Sequence, residues 1–280
     1  MAKTKHRKDK HKNKKPKLAS KADKYEMYQA AVQAPDVDVE FFARVYREVY
    51  KGVAKRLRED FCGTFAVCCE WVKSHSERRA IGVDLDPEPL DWGRAHNMAP
   101  LAPAEKKRIE LLEADVLAAT TGKVDIVAAQ NFSYCIFKTR EELRRYFEVA
   151  RAALDEKGVL ICDLFGGYES MEDDREELTE YDGFDYVWDQ HTFDPVTHFG
   201  TYRIHFRFKD RSEMTNAFVY DWRLWSIPEV RELMLEAGFE DAFVYWEETD
   251  EESGEGNGNY VRTEKGECDP AWNAYIVGVK

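Results

Sequence analysis

A chain of 280 residues that is 44% hydrophobic can bury one full core with an inserted lobe, but is too short for a second large domain. No apolar run approaches the roughly 18 to 20 residues that cross a bilayer, and no apolar segment follows the N-terminal positive charges. Neither a membrane span nor a secretory leader is therefore expected, and the chain reads as cytoplasmic. The formal net charge is −13, yet residues 1 to 27 hold ten Lys and one Arg against Asp9, Asp23 and Glu26. The remainder therefore carries −21 and repels a phosphate backbone, so nucleic acid is open as a partner only through the basic tail.

Residues 1 to 20 have almost no apolar content and repeat Lys at short intervals, which predicts a disordered tail. From Lys21 to Tyr50 the apolar and aromatic spacing, with Tyr25, Tyr28 and Val32 and then Phe41, Phe42, Val45, Tyr46, Val49 and Tyr50, predicts two helices broken near Pro35. A short apolar strand then closes on Glu59, a tight Cys62-Gly63-Thr64 turn follows, and an amphipathic helix is predicted over Phe65 to Val72. Gly63 marks the point where backbone can pass close to a ligand. A dinucleotide site needs several glycines so that amides can surround a pyrophosphate, whereas Phe61 and Phe65 occupy the neighbouring positions. The expected ligand therefore carries no phosphate.

The next strand, Ala80 to Val83, ends on Asp84, placed to accept from the ribose hydroxyls of an adenosine, with Leu85 beside it. Asp86 precedes Pro87 and is read as the cap of a helix running to about Met98. A third strand, Ile109 to Glu113, leads to Asp115 and Val116, whose carboxylate and amide suit an adenine amino group and ring nitrogen. The fourth strand, Val124 to Gln130, is nearly all apolar, as a central parallel strand must be, and ends in Asn131, Phe132, Ser133 and Tyr134. Thr139 with Glu142 forms a capping box for a helix to Leu154, and the fifth strand runs from Gly158 to Asp163.

Residues 168 to 180 are acidic and read as a mobile or helical connection. The pattern then turns to period two: Tyr202, Ile204, Phe206 and Phe208 share one face, and Phe218, Tyr220 and Trp222 continue the alternation. A small antiparallel lobe over residues 166 to 225 is predicted. Ser226 and Glu229 cap a helix ending at Gly238, Phe239 to Trp246 and Ala274 to Val279 are strands, and the acidic, glycine-rich stretch between them reads as a flexible loop. The six cysteines show no CxxC pair and read as buried free thiols.

Residues 57 to 64 resemble motif I of class I S-adenosylmethionine-dependent methyltransferases, keeping the acid at Glu59 and the middle glycine at Gly63. Asp115 matches motif II of that family, and the closing helix, strand, loop, strand resembles its ending, where a hairpin completes a seven-stranded sheet. The segments REDFCGT, GVDLDPEPL and YDWRLW are similar to those of a bacterial group of such enzymes. The expected fold is therefore α/β: a Rossmann-like, seven-stranded, mostly parallel sheet with helices on both faces over residues 21 to 280, plus the small antiparallel β insert after strand five. The resemblance implies S-adenosylmethionine as cofactor, held by Glu59, Cys62, Gly63, Thr64, Asp84, Leu85, Asp115, Val116 and Asn131 under a lid residue, Tyr28.

Methyl transfer from a sulfonium requires a collinear, dry site, for which aromatic rings are suited; Phe132, Tyr134, Tyr168, Trp188 and Trp222 are the candidates. Tyr134, and His191 between Asp189 and Asp194, are the candidate catalytic residues. Strand four ends in Gln130 and Asn131, leaving Asp163 as a lone carboxylate, so no metal is expected. A small-molecule acceptor is the leading expectation. An RNA or protein N-methyltransferase is a second, because Asn131 to Tyr134 is similar to the Asn-Pro-Pro-Tyr motif that grips planar amino groups. A non-catalytic S-adenosylmethionine-binding or interaction protein is a third.

Overall fold

A parallel strand covered on both faces has to be largely apolar, and Val124–Ala129 is buried at all six residues, its one carboxylate, Asp125, accepting the Lys55 and Arg56 amides and pairing with the Arg56 guanidinium. It lies at the centre of the computed structural model, which describes residues 16–250 and 256–280. Residues 1 to 15 of the expected tail lie outside the described residues, as do 251 to 255 of the acidic loop.

Two helices lead in, α1 (Lys24–Val32), capped by Asp23, and α2 (Pro35–Tyr50), with Pro35 in its first turn. The alternating half follows as β1 (Arg56–Asp60), α3 (Ala66–Ser74), β2 (Arg79–Asp84), α4 (Pro87–Gly93), α5 (Pro103–Lys106), β3 (Ile109–Glu113), β4 (Val124–Ala129), α6 (Arg140–Ala153) and β5 (Leu154–Gly166). An antiparallel excursion follows as β6 (Arg175–Glu180), β7 (Asp185–Asp194), β8 (Phe199–Arg207) and β9 (Glu213–Arg223). The chain then returns through α7 (Ile227–Glu236), β10 (Asp241–Thr249), β11 (Gly256–Thr263) and β12 (Trp272–Val279). The large sheet has the order β11-β10-β12-β5-β4-β1-β2-β3, and β6 to β9 form a second sheet in sequence order. β1 to β5 pair parallel; β12 enters antiparallel beside β5, with Trp272 opposite Gly166.

Each face of the large sheet has its own core. Val39, Phe42, Val45 and Tyr46 of α2 join Cys68, Trp71 and Val72 of α3 over one side, while Tyr146 and Phe147 of α6 join Val230, Leu233 and Met234 of α7 over the other. The strand order brings the carboxyl ends of β1, β2, β4 and β5 together, and the turns that follow them build the site.

Three expectations need revision. The large sheet has eight strands and not seven, because β11 pairs antiparallel with β10 in the stretch read as a loop. Its Asn and Gly residues mask an alternation that Tyr260 carries inward, against Phe41 and Tyr275. Residues 168 to 180 are neither a helix nor a bare connection: a short 3-10 turn over Tyr168–Met171 precedes β6, an edge strand with almost no burial of its own. The boundary expected at residue 20 falls inside an ordered turn, Leu18–Ser20, docked on the lobe where the Leu18 amide donates to Asp210 Oδ2 and the Ala19 amide to Ser212 Oγ.

The antiparallel sheet follows the period-two reading, since β8 alternates strictly between buried and half-buried residues, with Tyr202, Ile204 and Phe206 inward. That inner face packs against Met27 of α1, and the Tyr181 hydroxyl donates to the Ala31 carbonyl. Lead helix and lobe thus form one continuous roof over the strand ends.

Candidate functional site

The turn after β1 has unusual backbone geometry: Phe61, Gly63 and Phe65 all have positive φ, at 57°, 51° and 46°. Glycine takes this conformation freely, whereas a phenylalanine pays roughly 1 to 2 kcal/mol. Burial offsets that cost. Phe65 is fully buried, and Phe61 packs on Phe137 and Tyr146. The Phe65 ring takes the space left by Gly93, where an added Cβ would lie 2.5 Å from Phe65 Cε1 and 2.4 Å from the Thr64 carbonyl oxygen. Gly93→Ala is therefore expected to cost about 1 to 3 kcal/mol of stability by displacing this turn, a loss that urea unfolding would measure.

Two hydrogen-bonded carboxylates, Glu59 and Asp84, hold the turn, and a third, Asp86, caps the helix after the next strand. Glu59 Oε2 accepts the Cys68 amide at 2.9 Å in the first turn of α3, and burial pushes its carboxyl up to about 8. Asp84, at the end of β2, accepts the Gly63 amide at 2.7 Å through Oδ2 and the Asp86 amide at 2.9 Å through Oδ1, joining the two turns. Asp86 caps α4 by accepting from the Glu88 amide at 2.9 Å. Overhead, Gln29 Nε2 donates to Thr64 Oγ1 at 3.0 Å, and Trp92 Nε1 donates to Asp23 Oδ2 at 2.6 Å, tying α1 down as a cover.

Under that cover lies a chamber of about 250 Å³ bounded by Glu59, Asp60, Cys62, Gly63, Thr64 and Asp84. A second chamber of about 610 Å³ lies between the ends of β4 and β5 and the inner face of the lobe. Tyr28, Asn131 and Tyr220 belong to the walls of both. Burial pushes the Tyr28 and Tyr220 hydroxyls well above the usual phenol range, so both stay protonated. Asn131 and Phe132 have φ of 56° and 57°, a strained corner clamped by one buried carboxylate. Asp163 accepts the Asn131 amide at 2.6 Å and the Phe132 amide at 2.9 Å, while burial pushes its carboxyl up to about 7.

The smaller chamber therefore gathers Tyr28, Glu59, Cys62, Gly63, Thr64, Asp84 and Asn131 of the residues expected to hold a cofactor. Asp115, Val116 and Leu85 are not in its wall. Asp115 accepts the Leu117 amide at 2.8 Å and is exposed beyond the end of β3; Leu85 is 70% exposed; Val116 is buried with its carbonyl accepting from Arg58. Neither expected catalytic side chain lines a chamber. Tyr134 is fully buried, donating its hydroxyl to the Asp163 carbonyl at 2.8 Å, so it braces the corner from within the core. His191 is half-buried on β7 with Nδ1 3.8 Å from Asp189, while His205 lies nearer the same carboxylate at 3.2 Å. Among the described residues no group of three or more His, Cys, Asp or Glu side chains is arranged to hold a metal ion. The cysteines are free; Cys268 alone is exposed among the six.

Two features of the site were not read from the sequence. Tyr220 was assigned to the lobe by its alternation alone, and only the folding of lobe onto sheet brings it to the junction. Arg58 and Asp60, both about 1% exposed, form a buried pair at 2.6 Å beneath the turn, which the interrupted apolar pattern of Leu57 to Asp60 could have signalled.

No family model matches the chain, and no curated protein matches it. Solved structures do. A sugar N-methyltransferase of Streptoalloteichus superposes with a TM-score of 0.61 at 20% identity, over 92% of this chain and 93% of that one. An amino pentose methyltransferase of Micromonospora echinaspora, involved in calicheamicin biosynthesis and solved with S-adenosylmethionine bound, gives 0.64 at 16% identity, over 92% and 97%. An S-adenosylmethionine-dependent methyltransferase of Clostridium acetobutylicum gives 0.62 at 16% identity, over 90% and 96%. The fold, lobe included, is that of S-adenosylmethionine-dependent methyltransferases.

Proposed function

We propose that this protein is an S-adenosylmethionine-dependent methyltransferase acting on a nitrogen of a small-molecule acceptor. The observation that carries the reading is the pair of chambers meeting at Tyr28, Asn131 and Tyr220, one sized and charged for the cofactor and the other open for an acceptor. The smaller chamber suits S-adenosylmethionine chemically. Of its wall carboxylates, Glu59 is held protonated near neutral pH by burial and Asp60 is paired with Arg58 at 2.6 Å, while the lining cation Lys24 is engaged by Glu88 at 2.9 Å; Asp84 and Asp86 therefore leave it favouring a positive ligand and disfavouring phosphate. Asp84 would take the ribose and the Gly63 turn would pass beneath the ligand; bound there, the cofactor supplies an electrophilic methyl group.

The chain's own contribution is placement and exclusion of water. Tyr28, Tyr220 and Phe132 make the junction largely aromatic, and the clamped corner presents the Asn131 carboxamide, whose oxygen can accept from an acceptor N–H. The neighbours named above, a sugar N-methyltransferase and an amino pentose methyltransferase, support the choice of a small molecule, and the first of them supports the choice of nitrogen. Calorimetry tests this reading: S-adenosylmethionine and S-adenosylhomocysteine each bind at one site per chain. No heat with either at millimolar ligand would leave only a scaffold that shares the fold.

The buried acids add a pH dependence. Glu59 at about 8 and Asp163 at about 7 lie above the ordinary carboxylate range, so their contribution to stability is present at low pH and is lost as pH rises through those values. Burial is the main cause for each; Asp38 and Asp84 raise Glu59 further, Asp38 raises Asp163, and the amides of Cys68, Phe132 and Asn131 act in the opposite sense. A cation in the smaller chamber favours the ionised forms. The rise in Tm produced by saturating S-adenosylmethionine is therefore expected to be larger near pH 8.5 than near pH 6, as read by thermal unfolding at roughly half-unit pH steps. A constant rise across that range would remove these acids from the site's electrostatics.

A further inference from the structure

The 610 Å³ chamber is far richer in charge and in rings than placement of a generic acceptor requires. Its two walls come from different sheets. Trp188 and Trp222 stand on the lobe, with Trp222 stacked on Tyr220 at 4.3 Å between ring centroids and 22° between planes. Trp246 and Trp272 stand opposite on the large sheet, 4.9 Å apart, with Phe165 between the two walls and 6.3 Å from Trp188. Such surfaces accept a flat apolar body and attract a cation through their faces.

Charge on the same wall points one way. Glu169, Glu177, Glu247 and Asp269 belong to it, against a single cation, Arg175. Arg175 is already spent, forming ion pairs with Glu169 and with Glu172. Among the described residues no ion pair engages Glu177, Glu247 or Asp269. Three carboxylates on a recess walled by low-dielectric rings concentrate ammonium ions and repel phosphate and carboxylate groups.

Building on the methyltransferase reading, we infer that the acceptor is an unphosphorylated cationic amine with a flat apolar body, selected by the tryptophan walls and by three carboxylates of the larger chamber that no ion pair engages among the described residues, of which Glu247 also accepts the Gly258 amide. Glu177 of β6, Glu247 of β10 and Asp269 of the loop before β12 all belong to the wall, so the ammonium end is recognised by carboxylates from both the lobe and the main domain and the ring system fills the space between the walls. A phosphate-bearing amine of the same shape is rejected by charge, whatever its fit.

Tryptophan fluorescence tests this without turnover. Wild-type protein is titrated with 2-phenylethylamine, with 2-phenylethyl phosphate and with glucosamine, in low salt. Saturable quenching by 2-phenylethylamine with a Kd roughly tenfold or more below that of the phosphate supports the inference. So does a fall of that preference to about threefold or less in the Glu177→Gln, Glu247→Gln, Asp269→Asn variant. Equal or tighter binding of the phosphate, tighter binding of glucosamine, or no binding of the amine overturns it. The wild-type titrations decide the matter even if the triple variant fails to fold. Calorimetry with S-adenosylmethionine on the same preparation keeps the two readings apart: cofactor binding without amine binding sinks this inference alone.

Discussion

Arg58→Ala is expected to lower the free energy of unfolding by about 3 to 5 kcal/mol, the largest loss from any single substitution considered. The guanidinium is 1% exposed and each of its nitrogens donates: Nε to Asp60 Oδ1 at 2.6 Å, Nη2 to the Val116 carbonyl at 3.0 Å and Nη1 to the Ala119 carbonyl at 3.4 Å. Removing it strands Asp60 in the core with only the Tyr146 hydroxyl, 3.1 Å from Oδ2, and burial already holds the Asp60 carboxyl above its ordinary value. The segment after β3 loses its anchor in the same step, so the region beyond Asp115 should gain amide exchange. Because a buried pair is costly to break and cheap to replace by packed apolar groups, Arg58→Met with Asp60→Leu should cost less than Arg58→Ala alone. A loss under about 1 kcal/mol for Arg58→Ala, measured by urea unfolding, would show that the pair contributes nothing the core cannot supply.

Asp84→Ala carries the second large effect, on ligand affinity. Each of its oxygens accepts from a backbone amide, so the carboxylate both fixes the Gly63 turn and stands at the chamber wall. Losing a hydrogen bond to a charged acceptor costs about 1.5 to 3 kcal/mol, which is roughly 10- to 150-fold in S-adenosylmethionine affinity. Asp86 is the control. It also lines the chamber, but it is the α4 cap, and Asp86→Ala should cost about 1 kcal/mol of stability with a smaller effect on binding. If Asp86→Ala weakens cofactor binding more than Asp84→Ala does, the ribose belongs to Asp86.

What could be read from the sequence was whatever acts locally. The nearly all-apolar run of β4, the acids closing β1 and β2, the Thr139 and Ser226 capping boxes and the alternation of β8 are each set by neighbours in the chain, and each is present. What escaped depends on partners far along the chain. Residues 175 to 180 carry little burial that could mark a strand, and pairing with β7 alone makes them one. Tyr134 offered an aromatic ring and a hydroxyl beside the junction, yet the left-handed turn at Phe132 sends it into the core. The phenylalanines at 61 and 65 looked like departures from a glycine motif, but the backbone keeps the glycine-like conformation at both, and the rings are absorbed by space that Gly93, Phe137 and Tyr146 leave. Side-chain type alone could not reveal that the missing glycines had been replaced in identity and not in geometry.

A crystal structure with S-adenosylhomocysteine soaked or co-crystallised tests the central claim most directly. The two-chamber account places its ribose at Asp84, above Gly63, and its sulfur toward the junction of Tyr28, Asn131 and Tyr220. Ligand density outside the chamber bounded by Glu59, Gly63 and Asp84, or its absence from crystals grown at saturating ligand, would contradict it.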